Sequence, residues 1–398
     1  MEGWKTDKIE NLFFLGRGRV INDEDIKEHP GVYPVYSSQT SNNGEFGKVD
    51  FYEFEGEYIT WTTDGANAGK VFYRSGKFNC TNVCGTLKPK NPEKTDVKFF
   101  SYLIDRHAFR HVAVVGNNKL MNNVMGKIKI TFPTNVHHQS AIAAILSKVD
   151  EAIASVQASI SAAERLKKSL MQNLLTGRMK PDGTLRTEDE FYVDEKFGKV
   201  PKGWGVKKIA EISDYVQYGL NQASSENGKT PMLRMNNIVK GKMTNAPLVY
   251  VELNDSLLQQ YKLEKGDILF NRTNSLDLVG KVGIFELKGD YVFASYLIKV
   301  KISKNNNPYF VNYALNSYPI QCSLRSKATP AVSQANINSK SLRNTTIIIP
   351  TNKEEQDEIV KKILVFEKQN NYLYNKISIL ERLKKSLMQN LLTGRVRV

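Results

Sequence analysis

Asn, Gln, Arg and Lys gather in short polar stretches in both halves of the chain. They are YSSQTSNNGEFGK, WTTDGANAGK and VGNNKLMNN in one half, and NQASSENGK, RMNNIVKGK, FNRTNS and SQANINSKS in the other. Their chemistry is hydrogen bonding, not bond making. A carboxamide can meet an adenine edge with two bonds, Arg or Lys can do the same at guanine, and small polar side chains suit phosphates. In the first half the candidates are Gln39, Asn42, Asn43, Thr62, Thr63, Asn67, Lys70, Asn117 and Lys119. In the second they are Gln222, Arg234, Asn236, Asn237, Arg272, Asn274, Lys281, Gln334 and Asn336. Asn-rich turns are often only turns. What raises these above turns is their recurrence in both halves of a basic chain. Lys and Arg number 56 against 41 Asp and Glu, a formal net charge of +15 over 398 residues. Such an excess asks for a polyanionic partner, nucleic acid before an anionic membrane. No apolar run approaches the ~18 residues of a membrane span.

Arrangements that make or break bonds are absent. NGKTP at Asn227–Pro231 resembles a phosphate loop, but Ala223 stands where its first glycine belongs and Pro231 follows the threonine. Gly16-Arg17-Gly18 lacks a third glycine, since Ile21 takes its place. NPYF at Asn307–Phe310 is one proline short of the adenine-methyltransferase motif, and the chain has no Pro-Pro pair. His29, His107, His111, His137 and His138 show no metal-ligand spacing. Cys80 and Cys84 form a lone CxxxC, and Cys322 stands apart. Three scattered cysteines do not make a disulfide framework and suit a reducing cytoplasm. The N-terminus MEGWKTDKIE has no apolar leader segment. The expectation is a cytoplasmic, non-catalytic chain that binds no metal and no cofactor.

The elements that would position the polar loops are written in a repeat. ERLKKSLMQNLLTGR runs from Glu164 to Arg178 and returns unaltered from Glu381 to Arg395, an offset of 217 residues. The same offset relates Pro133 to Pro350 and Gln139 to Gln356, after the β-like runs KIKITFP and NTTIIIP. Thr134-Asn135 and Thr351-Asn352 can cap the helices that follow, and Asn352 with Glu355 fits a capping box. The apolar beat Ile142, Leu146, Val149, Ile153, Val156, Ile160, Ala163 alternates steps of four and three, as a coiled-coil seam requires. Its counterpart reads Ile359, Ile363, Phe366, Asn370, Leu373, Ile377, Leu380. Gly177 and Gly394 end the two helices, each predicted at about 38 residues and ~57 Å.

The globules repeat more faintly. Gly3-Trp4 and Gly203-Trp204 open them, and GEYITWTTDG and GDILFNRTNS each lead on to Gly-Lys-Val, at Gly69 and Gly280. The expected class is α+β: two α/β globules with largely β cores, joined by two long antiparallel coiled-coil helices with a pseudo-two-fold. The divisions are 1–134, helix 135–178, linker 179–200, globule 201–350 and helix 351–398. Packing alone would hold only the leucines of the repeated stretch, yet its outward residues match too. The expectation is one surface shown twice to two copies of one partner, through Leu166, Lys167, Leu170, Met171 and Leu174 and through Leu383, Lys384, Leu387, Met388 and Leu391. Recent duplication without selection would give the same letters.

The Pro…Glu-Gln helix start IIIPTNKEEQDEIV, the LKKSLMQNLLTGR helix ends, GKVPKGW at Gly198–Trp204 and SQANINSKSLRNTTIIIP together resemble the specificity subunits of Type I restriction-modification systems, over essentially the whole chain. The resemblance implies two target-recognition domains, each reading one half of a split DNA sequence. It implies helices that set the spacer and bind two modification subunits, which carry S-adenosylmethionine and methylate adenine, with restriction subunits joining that core. His137-His138-Gln139 departs from the Glu-Glu-Gln of that pattern. Two domains on one face of B-DNA should read half-sites about one helical turn apart, ~34 Å. The alternatives are a non-specific basic coiled-coil scaffold and a self-sufficient methyltransferase fused to its own reader.

Overall fold

The computed structural model describes residues 3–114, 116–225, 228–330, 334–396 and 398. Val115, Glu226, Asn227 and Ser333 of the polar stretches lie outside the described residues. The chain forms two compact units, Met1–Ser159 with Leu373–Val398, and Ile160–Tyr372. Two long helices, Val136–Leu175 and Lys353–Leu391, are each divided between them. Each unit therefore holds one globule, the start of the helix that leaves it, and the end of the other helix.

The first globule is closed by its own ends. Strand Trp4–Lys8 pairs antiparallel with Lys129–Pro133, so that Trp4 faces Pro133. Inside lies a four-stranded antiparallel sheet in the order Phe13–Arg17, Cys84–Pro89, Tyr58–Thr62, Val71–Arg74. A second sheet runs Glu45–Val49, Pro30–Tyr36, Lys77–Cys80, Phe54–Glu55. Helix Val97–Ala108 lays Phe99, Phe100, Leu103 and Ile104 against Phe13, Ile59, Trp61 and Leu87, all fully buried. Ile142, Ala143 and Leu146 of the first long helix join this core, as do Leu391 and Leu392 from the end of the second.

The second globule repeats the scheme. Strand Trp204–Lys208 pairs with Thr346–Pro350, and Trp204 faces Pro350. Its main sheet has six strands, ordered Ser213–Tyr218, Leu297–Ile302, Ile268–Asn271, Val282–Ile284, Lys242–Met243, Ile238–Val239. Helix Pro308–Leu315 covers it. Ile359, Val360 and Ile363 enter its core together with Leu174 and Leu175. The largely β cores expected from sequence are present.

Each long helix is anchored by a buried glutamine. Gln139 Oε1 accepts the Asp96 N–H (2.9 Å) while its Nε2 donates to the Pro133 carbonyl (2.9 Å). Gln356 Oε1 accepts the Asn307 N–H (2.7 Å) and its Nε2 donates to the Pro350 carbonyl (2.9 Å). Asp96 and Asn307 are themselves the N-caps of the globule helices. One carboxamide thus ties the closing strand, the long helix and the globule helix together. Asn135 and Asn352 cap the long helices as expected, through His137 N–H and Glu354 N–H. The capping box expected at Glu355 gives way to other partners: its carboxylate takes the Arg186 guanidinium at 2.5 Å and the Trp204 indole at 3.1 Å. Gly177 and Gly394 end the helices at φ +67° in both copies.

The repeated stretch does not present its apolar face outward. Leu174 and Leu391 are buried in the globule cores, with Leu170, Met171, Leu387 and Met388 packed beside them. Lys167 and Lys384 are taken up in ion pairs with Glu367 and Asp150. Of the ten residues expected to meet a partner, Leu166 and Leu383 alone are largely exposed, at 55% and 45%. An apolar stripe reads the same in sequence whichever surface covers it, and here the chain's own globules do. The outward-facing letters that still match are Glu164, Arg165, Leu166, Lys168, Ser169, Gln172 and Arg178, against Glu381, Arg382, Leu383, Lys385, Ser386, Gln389 and Arg395.

Candidate nucleic-acid interface

Both globules build one backbone frame at the end of their central strand. In the first, Thr62 N–H donates to the Lys70 carbonyl (3.0 Å) and Gly69 N–H returns to Thr62 (2.8 Å). In the second, Asn271 N–H donates to Lys281 (2.8 Å) and Gly280 N–H returns to Asn271 (2.8 Å). The returning residues have φ of +85° and +84°, which is why each Gly-Lys-Val begins with glycine. The next residue is held the same way. Thr63 donates to Val83 and accepts from Leu120, and Arg272 donates to Tyr296 and accepts from Ile337. The following pair bridges a distant loop, Asp64 with Lys119 and Thr273 with Asn336.

A third segment closes the frame. Gly18 N–H donates to Cys84 and Gly219 N–H to Leu297, both at 3.1 Å. A methyl group on either glycine would collide with a backbone carbonyl, of Cys80 or Ala294. The frame thus sets Arg17, Thr63, Asp64, Val83 and Lys119 in positions that Tyr218, Arg272, Thr273, Tyr296 and Asn336 occupy in the other globule. The scaffold is common and the side chains differ, which is what two readers of different sequences need.

In the first globule the frame unites WTTDGANAGK, GNNK and the Gln39–Asn43 turn around Thr81–Val83. Gly65 N–H donates to Asn118 (3.0 Å), and Thr81 Oγ1 bonds Ser37 (3.1 Å). Asp64 sits between Arg17 and Lys119, each 3.7 Å from a carboxylate oxygen. Lys119 and Arg17 stay about half exposed. Asn42 and Asn43 stand exposed in left-handed backbone, at φ +48° and +53°. Asn67 and Asn117 are exposed as well. Gln39 donates to the Glu45 carbonyl, and Lys70 pairs with Asp105 at 3.0 Å. Thr62 and Thr63 are corrected: at 1% and 0% exposure neither side chain reaches a ligand. Behind the turn, the Arg74 guanidinium stacks 3.5 Å from the Tyr36 ring, and burial lowers its pKa to about 10.

In the second globule FNRTNS, RMNN and QANINS converge. Arg272 stacks over the Tyr218 ring at 5.0 Å and donates to the Ser295 carbonyl, while its buried Nε has no partner among the described residues. Asn336 Nδ2 donates to Thr273 Oγ1 (2.8 Å), and Asn274 Nδ2 reaches Met235 Sδ (3.3 Å). The Tyr218 hydroxyl accepts the Ser339 N–H at 3.0 Å. Burial opposes ionisation of Tyr218, but the bonds from Ser339, with Arg272 nearby, outweigh it and bring its pKa below the usual phenol value. Arg234 is half-buried, and its Nε has no partner among the described residues. Asn236, Lys281 and Gln334 are exposed, and Gln222 turns to the Glu252 carbonyl (2.9 Å). Asn237 is corrected: it is fully buried, accepting from Arg234 N–H and donating to the Pro247 carbonyl.

Sequence reasoning missed Arg17, Tyr218 and Tyr296. The available signal was a glycine beside each site: Gly16 and Gly18 flank Arg17, which as a dinucleotide loop lacks its third glycine, and Gly219 follows Tyr218. Cys80 and Cys84 are buried free thiols, and burial pushes Cys84 up to about 11. Among the described residues no group of three or more His, Cys, Asp and Glu is placed to hold a metal, and no helix is long and apolar enough to cross a membrane.

The sequence matches the family described as Type I restriction modification DNA specificity domain over residues 1–165 and 201–382. It is 48% identical over 143 residues to a Mycoplasma pneumoniae protein named as a type I specificity subunit N-terminus, 36% of this chain and 75% of that one. It is 43% identical over 144 residues to the Type I restriction enzyme MpnII specificity subunit of the same organism, 36% of this chain and 43% of that one. The crystal structure of a Type-I restriction-modification system S subunit from M. genitalium matches the fold at a TM-score of 0.64 and 17% identity, covering 98% of this chain and 96% of that one. A chain from a study of complex assembly in the type I R-M system matches at 0.54 and 14%, with 98% of each covered.

Proposed function

Because the chain belongs to the Type I restriction-modification DNA specificity family, we propose that each globule reads one half of a bipartite DNA site. The shared frame carries this reading: one hydrogen-bonded scaffold, built twice, with unlike side chains at equivalent positions. Arg272, Asn274 and Asn336 on one side, and Asn42, Asn43, Asn117 and Lys119 on the other, would meet base edges or phosphates in the major groove.

The long helices set the spacer and receive two adenine-methyltransferase subunits. The docking strip is formed by the exposed residues Arg165, Leu166, Lys168, Ser169 and Gln172, and by Arg382, Leu383, Lys385, Ser386 and Gln389. S-adenosylmethionine and the chemistry belong to those subunits, and restriction subunits join the same core. The test is to map methylated adenines in DNA exposed to this chain and its methyltransferase partner. Methylation confined to a split sequence, with two outer specific segments and an unread middle, is the expected result. Methylation without sequence preference would instead support a non-specific scaffold.

A further inference from the structure

In the first unit a second basic surface adjoins the recognition loops. Helix Val97–Ala108 and the turn Phe109–His111 lead straight into the loop that carries Asn117 and Lys119, with Ala113 and Lys119 exchanging backbone bonds at 2.9 and 3.1 Å. Arg110 and His111 are exposed on that turn. Arg395 follows Leu391 and Leu392, which pack into the same core as Leu103, Ile104 and Ala108, and its charge adds to the burial and the Arg110 charge that disfavour the Arg106 cation. Arg106 also holds a buried Nη1 with no partner among the described residues.

Next to this group an open depression of about 430 Å³ is lined by His111, Asn123, Val124, Lys127, Ile128 and Lys129. Among the described residues no acid forms an ion pair with Arg106, Arg110, Lys127, Lys129 or Arg395. Glu10, which borders Gly126, is already bridged to Lys8 at 3.1 Å. Like charges kept together without counter-ions raise the energy of the free protein, and a polyanion relieves that cost.

The second globule repeats the feature in outline. Arg325 and Lys327 precede the loop that carries Asn336, just as Arg106 and Arg110 precede the loop that carries Lys119. Burial lowers the Lys327 pKa and Lys196 adds to it, while Arg325 keeps a buried Nε without a partner among the described residues.

We propose that the surface formed by Arg110, His111, Lys127, Lys129 and Arg395 grips the DNA backbone outside the bases read by the adjoining loops. The proposal rests on the DNA-reading function argued above and adds to it a phosphate clamp that carries no sequence information. It gives Arg395, the last letter of the repeat, a role in the first unit.

The test measures DNA binding of the full chain, alone and assembled with its methyltransferase subunits, as a function of salt. The probes are a duplex bearing the methylated site and a scrambled duplex. Relative to the parent, Arg110→Ala/Lys127→Ala/Arg395→Ala should lose roughly tenfold in affinity for both duplexes and lower the salt slope by about 2–3. The ratio between the duplexes should stay unchanged. Thermal melting of the variant separates this from misfolding, and Lys127→Glu, on an exposed side chain, should weaken both duplexes in the same sense. An unchanged salt slope overturns the proposal. So does a variant that loses its partner subunit while binding DNA as before, since the surface would then serve an acidic protein. A parent that prefers neither duplex at any salt refutes the reading function itself, a different result from either.

Discussion

Lys167 Nζ donates to Glu367 Oε1 at 2.9 Å, and one repeat further along Lys384 Nζ donates to Asp150 at 2.6 Å. Each lysine lies near the end of one long helix and each acid in the first half of the other, so both units contain the same cross-helix bond. Each acid also serves the globule helix beside it. Tyr102 donates to Asp150 at 2.6 Å, and Glu367 lies near enough to Tyr313 to add to the burial that raises its pKa. A lysine that looks outward in a helical wheel is in fact the third member of a lysine–acid–tyrosine link between two helices and a globule. This gives a structural reason for the identity of Lys167 and Lys384 that leucine packing cannot supply.

The two links should differ in strength. Glu367 is 13% exposed and is also approached by Lys242 at 3.5 Å, whereas Asp150 is 37% exposed. A double-mutant cycle on Lys167→Met and Glu367→Gln should give a coupling of roughly 1–2 kcal/mol in urea unfolding. The cycle on Lys384→Met and Asp150→Asn should give less than about 1 kcal/mol. Equal couplings would mean that burial does not set their strength.

Gln356→Ala should cost roughly 2–4 kcal/mol, read from the urea midpoint, because it leaves the Asn307 N–H and the Pro350 carbonyl buried without a partner. The exposed neighbour Glu358→Ala should change stability by less than about 0.5 kcal/mol. A loss at Gln356 no larger than that at Glu358 would remove the anchoring role.

The long helices were legible because the 217-residue offset survives in both apolar beat and caps. The pairing of Trp4 with Pro133 and Trp204 with Pro350 was foreshadowed by the Gly-Trp openings and the prolines before each helix. The seat of the repeated leucines was not, because covering an apolar stripe is a tertiary event. Thr62, Thr63 and Asn237 misled for a related reason. A polar residue in a loop-like string can be used up by local backbone or by a strand core, and only coordinates show which. The common frame of the two globules lies in backbone hydrogen bonds, which leave almost no mark in sequence beyond Gly18, Gly69, Gly219 and Gly280.

At high pH the tyrosines that bond acids should resist ionisation until the fold gives way. Burial first, and then Glu57, raises Tyr73 to about 12, and burial with Glu286 does the same for Tyr309. Tyr102 and Tyr313 shift in the same direction, through burial and then Asp150 or Glu367. A phenol whose folded pKa is raised contributes stability that is fully present below the unfolded value near 10 and is lost as pH rises through the folded value. Ultraviolet difference titration should show this group silent between about pH 10 and 12, with stability falling across that window. Substituting Tyr73 and Tyr309 with Phe should flatten the fall. If all tyrosines ionise together near pH 10 in the folded chain, the acid–phenol bonds are not maintained in solution.

Arg272 and Asn237 separate reading from folding within one globule. Arg272 keeps part of its guanidinium exposed on the frame, braced by the Tyr218 ring and the Ser295 carbonyl. Arg272→Ala should cost ~1–3 kcal/mol of DNA binding at one base position if it reads guanine. If it holds a phosphate, it should weaken all sequences and lower the salt slope by about 1. Either pattern should appear with little change in melting temperature, because the side chain closes no core. Asn237 has the reverse profile. Its carboxamide is spent on Arg234 N–H and the Pro247 carbonyl, so Asn237→Ala should lower stability by roughly 1–3 kcal/mol while the surviving folded protein keeps its base preference. Competition binding against a randomised duplex pool, run beside urea melts of both variants, reads the two effects independently. An Arg272→Ala chain with unaltered affinity, preference and salt slope would take Arg272 out of the interface, and with it the strongest side-chain argument for the second reading surface.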